Sequence, residues 1–279
     1  MFATLNRIFF GRRSLAGSMP ALPSGERLVI GCSANRIALV GGSVWPMAAA
    51  LCQHLLRDRA TIFRSPGVST LELGSGTGAV GLFAAGLGAC CTLSEQRPAR
   101  AAAQPVSYAP DGESSISLDE LPGQSDSLLD LLRQNVADNG RCFAIPPAVM
   151  ELDFTDAAHV KAASAASPTA SGFSLILGSD ITYSSNQHAH LATAIARLLR
   201  KPTSPSASEG GIALIAHEQR LRSLVNGADV QLASFVAAAG EAGLHVEVSP
   251  LDVPDAGSSG SLIRLSWPHR GAGGKCTNG

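Results

Sequence analysis

Hydrophobic positions along the chain follow two alternating patterns. Short, continuously apolar runs at 68–74 ("VSTLELG"), 173–180 and 210–218 predict buried β-strands. Between such runs, residues 46–58 and 188–200 place apolar side chains three or four positions apart, which predicts amphipathic helices. Strands that alternate with helices, and whose central members are apolar throughout, indicate an α/β fold with a mostly parallel sheet and helices on both faces.

The same patterns complete a doubly wound sheet of seven strands. Further strands are predicted at 90–96, 148–154, 244–250 and 261–267, and further helices at 79–89, 126–140 and 229–243. No helix separates the last two strands, so we expect the final strand to be antiparallel. Residues 26–45 predict two additional short strands around a turn.

Three segments lie outside this pattern. Residues 97–125, rich in Pro, Ala and Ser, predict an inserted mobile loop, with a substrate lid as the alternative. Residues 162–171 ("AASAASPTAS") predict a linker, and residues 268–279 a disordered tail. The folded domain is therefore expected to span residues 26–267.

The first 25 residues form a basic leader. They contain three arginines and several serines, and no acidic residue precedes Glu26. This composition is typical of an organelle transit peptide, and a disordered basic leader without an address is the alternative. We expect a cytoplasmic protein, or a mitochondrial or plastid one if the leader is a targeting signal.

Composition excludes several kinds of partner. The net charge of -1 gives no polyanion-binding surface, so we expect no nucleic-acid partner. No apolar run reaches the roughly 18 residues of a membrane helix, so no membrane partner is expected. The six scattered cysteines form no CxxC pair, which indicates a reduced intracellular protein without a zinc site or disulfide framework. We expect a monomer.

The candidate chemistry begins in residues 71–81, "LELGSGTGAVG". Gly74, Gly76 and Gly78 follow the first strand directly, where a parallel sheet binds its ligands. Glycine lets the backbone turn tightly and approach a ligand, and the next helix offers its N-terminal amides. Glu95 ends the second strand 19 residues after Gly76, where a carboxylate can accept both hydroxyls of a ribose.

Two classes of ligand share this layout. Residues 76–81, "GTGAVG", fit the GxGxxG pattern of dinucleotide-binding proteins. The longer pattern acid-x-Gly-x-Gly-x-Gly, with Glu72 as the acid, is typical of S-adenosylmethionine binding. A second carboxylate would repel a pyrophosphate but would face the cationic end of a sulfonium ligand, so Glu72 favours S-adenosylmethionine.

Four stretches together resemble the seven-β-strand class I methyltransferases, and within them the protein-lysine methyltransferase group. They are "GGSVWPMAAALCQHL", "LELGSGTGAVGLFAA", "LLRQNVADN" and "LILGSDITY". The resemblance covers residues 26–267 and implies a Rossmann-like fold, S-adenosylmethionine as cofactor and a protein as substrate. The chain departs from the family in its long 97–125 insertion, and in Phe154, where many relatives have Trp.

The resemblance also implies roles for individual residues. It assigns the cofactor to Trp45, Glu72, Gly74, Gly76, Gly78, Glu95, Asp153 and Ser179, with Glu95 at the ribose and Asp153 at the adenine. It assigns the substrate lysine to Asp180 and Tyr183 of the D-x-x-Y motif. Structural alternatives remain for several of these: a helix cap for Asp180, a turn for Asp153, a solvated strand end for Glu95, and plain surface or core aromatics for Tyr183 and Trp45.

Methyl transfer needs a neutral nucleophile, whereas a lysine amine has a pKa of ~10.4 in water. Asp180 could accept a hydrogen bond from the amine, but we expect its pKa to be far too low for a general base. Tyr183 could form a wall of the substrate channel. His188 and His190 are expected to face solvent, and no Ser-His-Asp arrangement is evident.

The leading hypothesis is an S-adenosylmethionine-dependent methyltransferase that acts on a protein side chain, with lysine as the expected acceptor. A nicotinamide-dependent oxidoreductase that uses "GTGAVG" is the second hypothesis, although no Tyr-x-x-x-Lys pair supports it. The third is a non-catalytic binding module with a methyltransferase-like fold.

Overall fold

The computed structural model describes residues 19–32, 40–97, 128–169, 171–203, 210–220, 227–253 and 260–268. Most of the predicted leader, nearly all of the predicted insertion and nearly all of the predicted tail therefore lie outside the described residues. No helix within the described stretches is long and apolar enough to cross a membrane.

Within these stretches, seven strands form a single sheet in the order β3-β2-β1-β4-β5-β7-β6. They are β1 Ser69–Glu72, β2 Cys90–Glu95, β3 Ala148–Glu151, β4 Leu175–Ser179, β5 Ile212–Glu218, β6 His245–Leu251 and β7 Gly260–Ser266. The first five strands are parallel, and β7 runs antiparallel to both β5 and β6. This confirms the predicted fold class, including the antiparallel final strand.

Seven α-helices lie within the described stretches. They are α1 Pro46–Arg57, α2 Arg59–Ile62, α3 Ala79–Gly86, α4 Leu128–Asp138, α5 Ala157–Ala165, α6 His188–Leu198 and α7 Val230–Glu241. Helices α1, α3 and α4 supply buried side chains to one face of the sheet, and α5, α6 and α7 to the other. The central strands are thus covered on both sides, which explains their continuously apolar sequences.

Strand β1 determines where a ligand can bind. It lies between β2 and β4 in the sheet. The strands that follow β1 in the chain are added first on one side of it, as β2 and β3, and then on the other side, from β4 onwards, so the strand order reverses at β1. Leu71 and Leu73 point into the core beneath α5, α6 and α7, whereas Glu72 points to the opposite face, against Gly81 of α3. The alternation of a strand therefore places one carboxylate beneath the start of α3, at the point of reversal where doubly wound sheets bind ligands.

Two sequence predictions are wrong in the described residues. Residues 26–32 form no strand, because their backbone groups pair with asparagine side chains rather than with a neighbouring strand. Only the first part of the predicted linker 162–171 departs from the prediction, because α5 continues to Ala165. Asp156 caps the start of this helix by accepting a hydrogen bond from the Ala158 amide at 2.7 Å. The alanines of this segment favour the helix.

Candidate functional site

A cavity of about 260 Å³ opens at the carboxyl ends of β1 and β4. Eight of the ten predicted site residues line it, namely Trp45, Glu72, Gly74, Gly76, Glu95, Ser179, Asp180 and Tyr183. The cavity thus brings the glycine loop together with the D-x-x-Y motif, although more than 100 residues separate them in the sequence.

The glycine loop after β1 adopts a conformation that side chains would disturb. Gly76 has a φ of 53°, and a Cβ placed on it would lie 2.5 Å from the Gly41 carbonyl oxygen. Gly41, in the short 3-10 helix Val40–Gly42, therefore packs directly on the loop. The loop is held between β1 and the segment that precedes α1, with its backbone facing the cavity.

Glu95 anchors the loop from the end of β2. Its Oε2 accepts a hydrogen bond from the Gly76 amide at 2.8 Å, and its Oε1 accepts one from the Gln96 amide at 2.9 Å. Burial raises the pKa of this carboxyl, and the two amides oppose the rise. Each oxygen keeps a second lone pair, so the carboxylate can still accept hydrogen bonds from a ligand hydroxyl.

Glu72 is the most deeply buried acid at the cavity, with 2% of its surface exposed. Among the described residues, its Oε2 has no hydrogen-bond partner. Burial raises its pKa to about 8, against smaller opposing effects from Ser75 and from the Gly81 amide. A buried, unpaired carboxyl oxygen is costly, and a cationic ligand group beside it would relieve that cost.

Asp180 follows β4 in a left-handed conformation, with a φ of 57°. Its Oδ1 accepts a hydrogen bond from Arg220 Nη2 at 3.1 Å, whereas its buried Oδ2 has no partner among the described residues. Burial raises the pKa of Asp180 to about 6, and Arg220 holds it below the value that burial alone would give. The pKa is higher than the sequence led us to expect, yet it remains far below that of an alkylammonium ion.

Two aromatic side chains flank the mouth of the cavity. Trp45 is 39% exposed and Tyr183 is 46% exposed, so neither belongs to the core. The Arg220 guanidinium lies 5.3 Å from the centre of the Trp45 ring and also donates to Glu218 Oε2 at 2.9 Å. The mouth is therefore an aromatic opening with one arginine tied to two carboxylates.

Buried polar side chains that do not line the cavity hold the D-x-x-Y loop in place through hydrogen bonds. Thr182 Oγ1 lies 2.7 Å from His217 Nδ1, and Asp229 Oδ2 lies 2.8 Å from His217 Nε2. His188 Nε2 donates to the Thr182 carbonyl oxygen at 3.0 Å, and Gln231 donates to the Tyr183 carbonyl oxygen. His188 is 2% exposed, so the expectation that it faces solvent is wrong.

The Thr182–His217–Asp229 chain has the connectivity of a hydrolytic triad, but its position excludes that chemistry. Thr182 is 1% exposed and none of the three residues lines the cavity. A nucleophile must reach its substrate, and this hydroxyl does not. The chain instead fixes the loop that carries Asp180 and Tyr183.

Two predicted cofactor residues do not line the cavity. Gly78 is the N-cap residue of α3, with a φ of 80°, and a Cβ on it would lie 2.5 Å from Leu132 in the core. Asp153 forms a turn, in which its Oδ1 accepts hydrogen bonds from the Thr155 amide and hydroxyl at 2.8 and 2.6 Å. Its neighbours Leu152 and Phe154 line the cavity instead.

Sequence reasoning missed Gly41 and Arg220. Arg220 follows β5, so its place at the carboxyl end of a strand was a signal that could have been used. Its pairing with Asp180 joins residues 40 positions apart and follows only from the adjacency of β4 and β5. Gly41 belongs to a Gly-Gly pair, but only the fold brings it against Gly76.

A family model described as "Lysine methyltransferase" matches residues 28–104. The matched segment contains α1, β1, the glycine loop, α3 and β2, and it therefore covers Trp45, Glu72 and Glu95. The match supports a methyltransferase of the class I type. No curated protein sequence matches the chain.

Solved structures of methyltransferases are similar to this chain in fold. The magnesium protoporphyrin IX methyltransferase from Synechocystis PCC 6803 with bound SAH has a TM-score of 0.47 at 10% identity, covering 79% of this chain and 81% of that one. A glycopeptide N-methyltransferase complexed with sinefungin has a TM-score of 0.48 at 14% identity, covering 76% and 85%. A methyltransferase from Pyrococcus furiosus has a TM-score of 0.44 at 13% identity, covering 76% and 83%.

Proposed function

We propose that this protein is an S-adenosylmethionine-dependent methyltransferase that transfers a methyl group to a protein side chain, with a lysine ε-amine as the acceptor. The observation that carries the proposal is the unpaired Oε2 of buried Glu72 beside the glycine loop. The lysine methyltransferase family model that matches this same segment supports it independently.

The charges at the cavity fit this cofactor better than a dinucleotide. Glu72, Glu95 and Asp180 line the cavity, and Arg220 is the one lysine or arginine among the described lining residues. The Arg220 guanidinium is already paired with Asp180 and Glu218. A pyrophosphate would be repelled by the Glu95 carboxylate and would keep Glu72, whose pKa is about 8, in its protonated form. A ligand with an ammonium and a sulfonium group would instead be attracted to Glu95 and would favour the ionised form of Glu72.

Glu72, Glu95 and the glycine loop would hold the cofactor, which supplies an electrophilic methyl group when bound. Glu72 Oε2 would accept a hydrogen bond from its cationic end, and the free lone pairs of Glu95 would accept the ribose hydroxyls. Asp180 Oδ2 is buried, unpaired and at the cavity, so it would accept a hydrogen bond from the acceptor amine. Asp180 would thereby stabilise the charge that develops on the nitrogen.

The mouth of the cavity supports a macromolecular acceptor. Trp45 and Tyr183 are exposed at the opening, where they can contact the methylene stem of a side chain presented by another protein. Alignment and desolvation of that side chain between the two aromatic rings would supply much of the rate. Lysine as the acceptor rests on the resemblance in sequence and on the family model.

The cofactor assignment is tested by calorimetry on the full chain with S-adenosylhomocysteine and, separately, with NAD. We expect binding of S-adenosylhomocysteine alone. Binding of NAD alone would make the oxidoreductase hypothesis correct, and binding of neither would leave a non-catalytic module.

The activity is tested with radiolabelled S-adenosylmethionine and fractionated cell protein, followed by amino-acid analysis of the labelled product. We expect labelled methyl-lysine, and we expect Asp180→Ala to bind S-adenosylhomocysteine normally while losing most of the transfer. Label in another residue type would overturn lysine but not the methyltransferase.

A further inference from the structure

Two asparagines, one on α4 and one directly after it, form a buried clamp that the proposed mechanism does not use. Asn135 and Asn139 lie one turn apart, with 0% and 1% of their surfaces exposed. Each side-chain amide forms hydrogen bonds with both the N–H and the C=O group of one residue in the segment 29–31, as the backbone of a neighbouring strand would. Asn139 pairs with Val29 through two bonds of 2.8 Å, and Asn135 pairs with Gly31 through bonds of 2.8 and 3.1 Å.

The two amides differ in their third hydrogen bond. Asn135 Nδ2 donates to the Thr77 carbonyl oxygen at 2.8 Å, and Thr77 belongs to the glycine loop and lines the cavity. Asn139 Nδ2 donates instead to the Asn135 carbonyl oxygen at 2.7 Å, in the last turn of α4. Of these two asparagines, Asn135 is therefore the one that connects residues 29–31 with the glycine loop.

The fit around Asn135 is close. A Cβ on Gly31 would lie 2.8 Å from Asn135 Oδ1, so the segment can approach the amide only with glycine at this position. Thr77 is 2% exposed, and its carbonyl group would lose its partner if Asn135 were removed. A buried carbonyl without a partner is costly, so the loop would shift or loosen around residue 77.

We propose that Asn135 is a positioning residue for the cofactor: its amide holds the glycine loop in its binding conformation and couples that conformation to the docking of residues 29–31. This inference rests on the proposed function, because the ligand used to test it is the proposed cofactor product. Coupling of this kind is reciprocal, so the ligand must also strengthen the docking of the segment.

The chain offers a matched pair of variants. Asn135→Asp and Asn139→Asp make the same isosteric change four residues apart, in α4 and directly after it, and each replaces a donor that faces two carbonyl oxygens with an acceptor. Gln134→Glu adds the same charge at an exposed position of α4 and serves as the control. The probe is S-adenosylhomocysteine, and its affinity is measured by calorimetry at a temperature at which each variant is folded by circular dichroism.

We expect Asn135→Asp to weaken S-adenosylhomocysteine binding about tenfold or more, which is the effect of one unsatisfied buried polar group. Asn139→Asp should stay within about threefold of the wild type, and Gln134→Glu should bind normally. Equal losses in the two asparagine variants would show that the effect follows general stability, and unchanged affinity in Asn135→Asp would show that no positioning occurs. Either result overturns the inference. The proposed function would be unaffected, because the wild-type protein would still bind S-adenosylhomocysteine.

Hydrogen exchange tests the same coupling on the wild-type protein, so this test does not depend on whether a variant folds. Saturating S-adenosylhomocysteine should slow exchange at the amides of Val29 and Gly31, which donate to the asparagines. Slower exchange at residues 74–78 with no change at these two amides would overturn the coupling. A wild-type protein that fails to bind the probe would overturn the proposed function, and this inference with it.

Discussion

Glu95 Oε2 accepts a hydrogen bond from the Gly76 amide at 2.8 Å, so the acid at the end of β2 shapes the loop that follows β1. The same carboxylate faces the cavity, which gives it two tasks: holding the loop and offering acceptors to a ligand. Loss of this side chain should therefore affect binding twice over.

The first prediction concerns this acid. Glu95→Ala removes both the loop anchor and the ribose acceptors, so we expect S-adenosylhomocysteine to bind at least about a hundredfold more weakly. Glu95→Gln keeps one acceptor for Gly76 and should lose less. Glu151→Gln is the matched control, since Glu151 ends the adjacent strand β3 but pairs with Arg97 outside the cavity. Calorimetry gives the three affinities, and an equal loss in the Gln and Ala variants would contradict the double role.

The second prediction concerns pH and stability without ligand. Burial raises the pKa of Glu72 to about 8, above its usual value in an unfolded chain. A raised carboxyl pKa means that the native state holds the proton more tightly. The stability it contributes is therefore complete below the unfolded pKa and is lost as the pH rises towards 8.

Glu72→Gln removes this titration. We expect the free energy of unfolding of the variant, relative to the wild type, to rise between pH 5 and pH 8 by on the order of a few kcal/mol. Urea unfolding at several pH values measures the difference. Glu247→Gln, which changes an exposed acid paired with Arg264, is the control. A constant difference across this range would show that Glu72 does not titrate with a raised pKa.

The fold could be predicted from the sequence because apolar periodicity reports burial directly, and every strand from β1 to β7 lies within its predicted range or within a residue of it. The segment around Val29 and Gly31 shows where this fails. Its pattern predicts a strand, and its backbone is paired as in a strand, but its partners are the side chains of Asn135 and Asn139. Periodicity indicates that a backbone needs partners without indicating which ones.

The candidate site was predictable to the extent that it depends on spacing along one strand and its loop. Glu72 and Glu95 lie at the cavity because strand ends in a parallel sheet meet at one edge. Arg220 was missed because its contact with Asp180 depends on the neighbouring strand, and Gly41 because its contact with Gly76 depends on chain packing. Asp153 was assigned by resemblance alone, and the local turn with Thr155 takes its carboxylate away from the cavity.

The third prediction concerns the ionisation of Asp180. Burial raises its pKa to about 6, and the Arg220 guanidinium opposes the rise. Arg220→Met should therefore raise the pKa of Asp180 further, and Arg220→Lys should have a smaller effect because a lysine retains the charge. The titration can be followed by NMR of ¹³C-labelled Asp carboxyl groups, with Asp180→Asn to assign the resonance.

A matched control for Arg220 is Arg264→Met. Arg264 also donates to a carboxylate at 2.9 Å, but it does so on the exposed face of β7, away from the cavity. The Arg264→Met substitution should leave the pKa of Asp180 unchanged. If Arg220→Met also leaves the midpoint near 6, the arginine does not control this carboxyl group. If the midpoint falls, the sign of the electrostatic argument is wrong.

The fourth prediction concerns the chain of buried side chains behind the D-x-x-Y loop. His217 bridges the Thr182 hydroxyl and the Asp229 carboxylate, and all three residues are at least nine-tenths buried. Thr182→Val is isosteric but leaves an imidazole nitrogen without its partner, so we expect a loss of about 1–3 kcal/mol in the free energy of unfolding. His217→Ala should cost more, roughly 3–5 kcal/mol, because it leaves Asp229 buried and unpaired at this end.

Urea unfolding measures these losses, and a double-mutant cycle shows whether the residues act as one unit. We expect Thr182→Val and His217→Ala together to cost less than the sum of the two single changes, because the second change removes an interaction that is already broken. His190→Ala, at an exposed position of α6, should alter stability by less than about 0.5 kcal/mol. Additive losses would mean that Thr182 and His217 stabilise the fold independently, in which case the hydroxyl–imidazole bond does not hold the loop of Asp180 and Tyr183.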